Sequence, residues 1–135
     1  MSDEVFFDTN IILYSYSYKS EPKKDMAKRL ILDSNGVIST QVLQEMCNIL
    51  IKKFKMDDLS ISRALSEMSS NFLIAINNVE TVTTALRVHF KYKFSYYDSL
   101  IISSVLENGC SILYSEDLHH KQKIENTLTI INPFK

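Results

Sequence analysis

Four acidic residues lie far apart along the chain, at positions where α/β proteins commonly have catalytic or ligand-binding residues: Asp8, Glu45, Asp98 and Asp117. Asp8 follows the apolar run VFF, and Asp117 comes shortly after SILY, so both acids follow a predicted strand. Open α/β sheets bind ligands just beyond the carboxyl ends of their strands. Two unit charges about 4 Å apart repel by roughly 4 kcal/mol at an effective dielectric of about 20, so clustered carboxylates require a cation or protons. The placement of these acids therefore favours a site for a hard divalent cation.

Each of the four acids also has a structural interpretation, which its own neighbourhood leaves open. Asp8 can cap a helix that follows it, and Glu45 falls on the polar stripe of a helix whose other face is apolar. Asp98 comes three residues after Ser95, where it can favour the positive end of a helix dipole. Asp117 can organise the turn after a strand. Because all four fall at strand ends or near helix starts, a shared site explains them better together.

The composition indicates one folded domain over residues 1–135. A chain of 135 residues is long enough to bury one core and too short for a second. Hydrophobic residues make up 45% and charged residues 23%, which excludes a disordered chain. The 15 basic and 16 acidic residues give a formal charge of -1, so any nucleic-acid binding must use local patches.

The cysteines and the start of the chain indicate the cellular compartment of the protein. Cys47 and Cys110 both lie in apolar surroundings, which predicts reduced thiols. The start MSDEVFF lacks the basic region and the long apolar core of a secretion signal. No apolar stretch approaches the roughly 20 residues of a membrane span. We therefore expect a cytoplasmic protein with no membrane role.

Short β-rich runs alternate with amphipathic helical patterns, which is typical of a parallel sheet covered by helices. The predicted strands are VFF, GVIS, NFLIAI, SILY and LTIINPF, with Pro133 closing the last one. Helices are predicted at about 10–17, 22–34, 41–55, 58–70, 79–93 and 96–107. The sequence has neither an internal repeat nor a low-complexity segment.

Four motifs in order give the sequence a family resemblance: FFDTN, STQVLQEMCN, YYDSLII and YSEDL followed by INPF. Together they resemble the PIN-domain ribonucleases, particularly the small stand-alone bacterial forms related to VapC toxins, over nearly the whole chain. The resemblance implies a three-layer α/β/α fold with a central, mainly parallel sheet of four to five strands flanked by helices. It also implies that Asp8, Glu45, Asp98 and Asp117 bind the metal. Three further polar residues would support these acids through hydrogen bonds: Asn10, Asn48 and Ser115.

Ligands that are all oxygen suit Mg²⁺ or Mn²⁺, and Mg²⁺ keeps several waters, which leaves room for a phosphate and an attacking water. We therefore expect hydrolysis of phosphodiester bonds, with Asp8, Asp98 and Asp117 as principal ligands and Glu45 as a ligand or a water-positioning base. Whether one or two ions bind stays open. The resemblance implies an RNA substrate, products with 5′-phosphate and 3′-hydroxyl ends, homodimers and, for a toxin, a cognate antitoxin protein.

Three basic residues are candidates for binding RNA, and each has a structural alternative. Arg87 and Lys91 lie one helical turn apart, with aromatic residues interleaved before Asp98, as on a surface that binds single strands. The same pattern fits a basic helix flank over core aromatic residues. Lys52 comes near the end of the Glu45 helix, where a cation favours the helix dipole whatever the function.

His119 and His120 follow Asp117, and a histidine pair beside acids suggests a zinc site. No cysteine lies nearby in the sequence, and the third histidine, His89, falls in a helical pattern, so a loop pair with no special role is the better interpretation. Relatives often have a glycine in this loop, whereas this chain has His120-Lys121-Gln122, which leaves the shape of the loop open.

Three other functions compete with that of a nuclease. A phosphatase with an aspartyl nucleophile would need a second aspartate two positions after Asp8, where this chain has Asn10. A phospho-receiver module would need a paired acid and a lysine after the last strand, which Asn132-Pro133 does not supply. A non-catalytic module that binds RNA or protein would not need the four acids. We therefore predict a metal-dependent endoribonuclease.

Overall fold

Six strands and six helices form the fold in a computed structural model that describes residues 4–16 and 21–135, with two helices after each of the first three strands. The strands are β1 (Glu4–Phe7), β2 (Asn35–Ser39), β3 (Leu73–Ala75), β4 (Ile112–Tyr114), β5 (Lys123–Ile124) and β6 (Leu128–Ile131). The helices are α1 (Thr9–Tyr16), α2 (Glu21–Asp33), α3 (Thr40–Lys52), α4 (Asp58–Asn71), α5 (Val79–Tyr92) and α6 (Tyr96–Glu107). This order confirms the predicted α/β class.

The strands form one sheet in the order β3-β2-β1-β4-β6-β5. The pair of β5 and β6 is antiparallel, and the other four pairs are parallel. Phe6 of β1 lies opposite Val37 of β2 on one side and Leu113 of β4 on the other. Because β1 and β4 are parallel neighbours, their carboxyl ends meet at one edge. The loops that carry Asp8 and Asp117 therefore leave the sheet side by side.

The sheet has one strand more than the four to five that the resemblance implies. This strand, β5, is only two residues long and pairs Lys123 with Thr129 of β6. The turn between the two strands uses Glu125 and Asn126, with positive φ angles of 52° and 55°. Two residues are too few to show an alternating pattern, and the turn lacks the glycine that commonly marks such backbone. The sequence therefore gives no local signal for β5.

The central strand β1 is buried on both of its faces. Phe6 and Phe7 are both 0% exposed, although successive side chains of a strand point to opposite faces of the sheet. Helices must therefore cover both faces, as expected for a mainly parallel sheet. From α6, Ile101, Ile102 and Val105 join this core, so the helix that carries Asp98 is held rigidly against the sheet.

The ends of some elements differ from the predicted ends. The helix predicted at 41–55 ends at Lys52. The last predicted strand stops short of Phe134, because Asn132 Oδ1 accepts a hydrogen bond from the Phe134 N–H at 2.9 Å and turns the chain. Ser17, the last residue of the first predicted helix, lies outside the described residues.

Neither cysteine forms a disulfide within the described ranges, where Cys47 and Cys110 are free thiols. Burial raises the pKa of the Cys110 thiol to about 11, so it stays protonated at neutral pH. None of the helices in residues 4–16 and 21–135 combines the length and the apolar character that crossing a membrane requires.

Candidate active site

Asp8 directly follows β1 and is fixed by both its backbone and its carboxylate. Its N–H donates to the carbonyl oxygen of Tyr114, the last residue of β4, at 2.9 Å. Its carboxylate accepts the Thr9 N–H at 2.7 Å on one oxygen and the Ser115 hydroxyl at 2.8 Å on the other. Only 7% of Asp8 is exposed. The carboxylate therefore has a fixed orientation and little contact with water.

Burial raises the pKa of the Asp8 carboxyl from 3.8 to about 6. Hydrogen bonds from Ser115 and Thr9 oppose this rise, because they stabilise the charged form. The negative charges of Glu45 and Asp98 add to it. Three of the four predicted ligands are therefore close enough to interact electrostatically, and we call Asp8, Glu45 and Asp98 the acid cluster.

Glu45 enters the acid cluster from α3, which begins immediately after β2. Ser39, the last residue of β2, caps this helix by accepting the Val42 N–H at 3.4 Å. The Thr9 hydroxyl donates a hydrogen bond to Glu45 Oε1. Because Thr9 also donates its N–H to Asp8, it links the two acids. Sequence reasoning missed this role, since the pattern around Thr9 indicates only a helix start.

Asp98 occupies the first turn of α6, as its structural interpretation predicts. Its N–H donates to the hydroxyl oxygen of the cap residue Ser95 at 3.1 Å, so the helix start is capped as predicted. No described residue donates a hydrogen bond to its half-buried carboxylate. Helix α3 contacts this turn through Gln41, whose Nε2 donates to the Tyr97 carbonyl oxygen at 3.0 Å. The cap thus positions a carboxylate that is free to bind a ligand.

Asp117 is exposed and is joined to the site by Asn10. The Asn10 side chain donates to Asp117 Oδ2 at 3.0 Å and accepts the Glu116 N–H at 3.2 Å. These bonds agree with the supporting role that the resemblance implies for Asn10. Ser115, which is fully buried, donates its hydroxyl to Asp8 Oδ2. Two of the three implied supporting residues therefore contact the acids.

Glu116 lies between two site residues, yet its charge is directed away from them. Its carboxylate pairs with the Lys23 ammonium of α2 and accepts the Tyr14 hydroxyl of α1 at 2.6 Å. The Lys23 ammonium also lies over the rings of Tyr14 and Phe134. This contact anchors the loop after β4. The sequence gives no sign of it, because Lys23 and Glu116 are 93 residues apart.

The third implied supporting residue and the three basic candidates are not joined to the acids. Asn48 is exposed and lines a surface groove of about 540 Å³, and no acid among the described residues accepts a hydrogen bond from it. Lys52 is exposed in the last turn of α3. Arg87 is exposed on α5, and the Lys91 ammonium pairs with Glu125 at 2.6 Å. RNA binding by these cations stays a prediction.

The loop after Asp117 takes its shape without a glycine. His120 Nδ1 accepts the Asn132 N–H at 2.9 Å, and Lys121 has a left-handed φ of 70°. The Lys121 N–H donates to the Ile130 carbonyl oxygen at 2.6 Å, so hydrogen bonds to the end of β6 offset the unfavourable backbone. His119 is exposed. His120 therefore has a structural contact here.

The donor atoms of the acid cluster and Asp117 fit a hard divalent cation, because all of them are carboxylate oxygens. Within the described parts of the chain, no three His, Cys, Asp or Glu side chains form a compact group typical of a metal site. The acids accept hydrogen bonds from three neighbouring residues, Thr9, Asn10 and Ser115. Burial is the main cause of the raised Asp8 pKa, and a bound cation would relieve the repulsion from Glu45 and Asp98 that adds to it.

Comparisons with known proteins give one family match and several solved structures with a similar fold. The PIN domain family matches residues 5–125, whereas no curated protein sequence matches the chain. A toxin-antitoxin complex from Klebsiella pneumoniae is 18% identical, with 96% of this chain and 97% of that chain covered at a TM-score of 0.72. DNA-bound VapBC from Salmonella typhimurium is 15% identical, with 96% and 97% covered at 0.71. VapC20 from Mycobacterium tuberculosis, described as a toxin that cleaves the Sarcin-Ricin loop, is 17% identical, with 84% and 89% covered at 0.69.

At such low identity the solved structures show a shared fold, and that fold extends over nearly the whole chain. The family match covers all four predicted ligands, from Asp8 to Asp117. Both findings confirm the resemblance that the four motifs indicate. This chain belongs to the PIN domain family.

Proposed function

We propose that the chain is a metal-dependent endoribonuclease, which hydrolyses RNA phosphodiester bonds with Mg²⁺ or Mn²⁺ at the acid cluster and Asp117. The observation that carries this proposal is the buried Asp8 carboxyl, whose pKa is raised to about 6 with Glu45 and Asp98 adding to the rise. A buried carboxylate near two others opposes folding unless it binds a proton or a cation. Such an arrangement is typical of a functional site.

In this proposal Asp8, Asp98 and Asp117 are the principal ligands, and Glu45 is a ligand or the base that positions the attacking water. A bound divalent cation supplies a Lewis acid that activates water and offsets charge at the phosphate. The protein side chains supply orientation. Ser115 and Thr9 hold the Asp8 oxygens, the Thr9 hydroxyl holds Glu45, and Asn10 holds Asp117.

A purified sample tests the proposed activity directly. We expect cleavage of a mixed-sequence RNA with Mn²⁺ or Mg²⁺ and none after excess EDTA, because the acids have no catalytic partner without the cation. The products should carry 5′-phosphate and 3′-hydroxyl ends, which end-specific ligation detects. Undiminished cleavage in EDTA would exclude this mechanism. Measured Mn²⁺ binding without cleavage of varied RNAs would favour the alternative, a non-catalytic PIN-fold module that binds RNA or protein.

The similar solved structures include complexes of toxins with antitoxins, and we extend this partnership to the present chain. We propose that it is the toxin of a toxin-antitoxin pair and that a cognate antitoxin protein inhibits it. A short open reading frame next to its gene, encoding a protein that blocks cleavage, would support this partner.

We also propose that the chain forms a homodimer through an exposed apolar surface on α5. Val79, Val82, Leu86 and Phe90, which we call the α5 stripe, are spaced by three or four residues and therefore share one side of the helix. Their exposed fractions are 81%, 47%, 52% and 64%. A contiguous apolar surface of this kind on a small domain marks an interaction site. A second copy related by a two-fold axis would cover it with the same residues.

Changing Leu86 to glutamate should weaken this self-association at least about tenfold, because a charge would be buried in an apolar contact. Sedimentation velocity over a concentration series measures the effect. Leu59→Glu is the matched control, since Leu59 is 60% exposed on α4 and outside the α5 stripe. A wild-type monomer at all concentrations, or equal effects of the two changes, would contradict the dimer.

A further inference from the structure

Gln41 is a buried polar residue beside the acid cluster to which neither the motifs nor the proposed chemistry gives a role. It lies in the first turn of α3 and is only 5% exposed. Its Nε2 donates to the Tyr97 carbonyl oxygen at 3.0 Å and approaches Glu45 Oε2 at 3.4 Å. The amide therefore joins a metal-ligand candidate on α3 to the first turn of α6, which carries Asp98.

The carbonyl oxygen of the Gln41 amide has no hydrogen-bond partner among the described residues. Gln41 Oε1 is buried and accepts no hydrogen bond from any described residue. Rotating the amide by half a turn would not help, because Oε1 would then face the Tyr97 carbonyl oxygen and the Glu45 carboxylate, which are acceptors as well. The orientation is thus set by the neighbours, and the unsatisfied atom is the carbonyl oxygen. A buried acceptor of this kind disfavours folding unless a donor reaches it.

The place of this atom limits what the donor can be. Oε1 and Nε2 are bonded to the same carbon, so Oε1 also lies near Glu45. Asn77 Oδ1 is a second unsatisfied acceptor within the described parts of the chain, but Asn77 contacts Thr40 through its N–H and has no acid as a partner. Oxygen atoms of the acid cluster cannot donate when charged. With charged carboxylates as the nearest side-chain neighbours, a water molecule is the donor that remains for Oε1.

We infer that Gln41 is a positioning residue of the metal site. Its Nε2 fixes Glu45 relative to the helix start that carries Asp98, and its Oε1 accepts a hydrogen bond from a water of the hydrated divalent cation. This inference rests on the proposed function, because it assumes that the acids hold such a cation. Outer groups that orient metal ligands in this way contribute strongly to affinity although they never touch the metal.

The test compares Gln41→Met with Gln44→Met. Methionine is close to glutamine in length and lacks both the donor and the acceptor. Gln44 lies on the same helix but is exposed and makes no contact with the acids, so Gln44→Met controls for the change of residue type. Gln41→Ala is the second variant, since its cavity can fill with water if the methionine distorts the helix. The readouts are the Mn²⁺ dissociation constant by calorimetry, the unfolding midpoint, and kcat and KM for RNA.

We expect both Gln41 variants to raise the Mn²⁺ dissociation constant by about 10- to 100-fold, to lower kcat and to leave KM for RNA unchanged. Gln44→Met should match the wild type in all of these. If the Gln41 variants bind Mn²⁺ as the wild type does, and only the unfolding midpoint changes, Gln41 is merely structural and the inference is wrong while the proposed function stands. If the wild type binds no Mn²⁺, the proposed function fails and this inference fails with it.

Discussion

Replacing Asp8 with asparagine should lower the rate of RNA cleavage by roughly 10³-fold or more, and should also stabilise the protein when no metal is present. The loss of activity follows from the proposed role of Asp8 as a metal ligand, for which Thr9 and Ser115 hold its carboxylate in a fixed orientation. An amide of the same size keeps the shape of the site and removes the charge. Initial rates at an Mn²⁺ concentration that saturates the wild type measure this part of the prediction.

The gain in stability follows from the raised pKa of Asp8. Above pH 6 the carboxylate is charged in both the folded and the unfolded state, and its burial opposes folding. The difference between a pKa of 3.8 and one of about 6 corresponds to about 3 kcal/mol. Asparagine removes this opposition but keeps only one acceptor oxygen for Thr9 and Ser115. We therefore expect the free energy of unfolding to rise by about 1–2 kcal/mol at pH 7.5.

Urea unfolding in EDTA measures this gain, and its pH dependence has a defined sign. As the pH falls from 6 toward 3.8, folded Asp8 takes up its proton before unfolded Asp8 does, so the wild type gains stability relative to the variant. The advantage of Asp8→Asn should therefore shrink at pH 5. Asp25→Asn removes an equal charge from an exposed position on α2 and should change neither rate nor stability. If Asp8→Asn has a lower free energy of unfolding than the wild type, burial of the charged carboxylate does not oppose folding.

Local signals in the sequence predict well the elements that position the acids. Helix α6 spans the predicted residues 96–107 because Ser95 caps it, and α5 starts as predicted at Val79 because Asn78 and Thr81 form a capping box. Such caps depend on residues only three positions apart, so they are visible in the sequence. The end of the strand before Asp8 is also visible in the sequence, because the apolar run VFF stops there.

Contacts between distant parts of the chain could not be predicted in this way. Asn48 and Gln41 illustrate the limit, since a helical wheel places both on the same side of α3 as Glu45. Gln41 is buried at the start of the helix, whereas Asn48 lies about 10 Å farther along the axis and is exposed. The wheel gives the angle around the helix and not the distance from the sheet edge. That distance decides which polar residue meets the acids.

The second large effect that we expect is stabilisation of the fold by Mn²⁺, and it should depend on pH. At 100 times its dissociation constant, an ion that binds only the folded state adds about 2.7 kcal/mol to the free energy of unfolding. We expect this shift at pH 7.5, where the Asp8 carboxyl, with its pKa of about 6, has lost its proton. Thermal unfolding over a series of Mn²⁺ concentrations measures it.

Protons and Mn²⁺ compete for the same Asp8 oxygens, so acid should weaken the stabilisation. At pH 5, one unit below the Asp8 pKa of about 6, roughly one tenth of the folded molecules have an ionised carboxylate, and the apparent dissociation constant should rise about tenfold. At a fixed Mn²⁺ concentration this removes about 1.4 kcal/mol of the stabilisation. Asp8→Asn, which has no such proton to lose, should show little Mn²⁺ stabilisation at either pH. Equal Mn²⁺ stabilisation of the wild type at pH 5 and pH 7.5 would mean that the ion binds elsewhere, because an ion held by Asp8 must displace its proton.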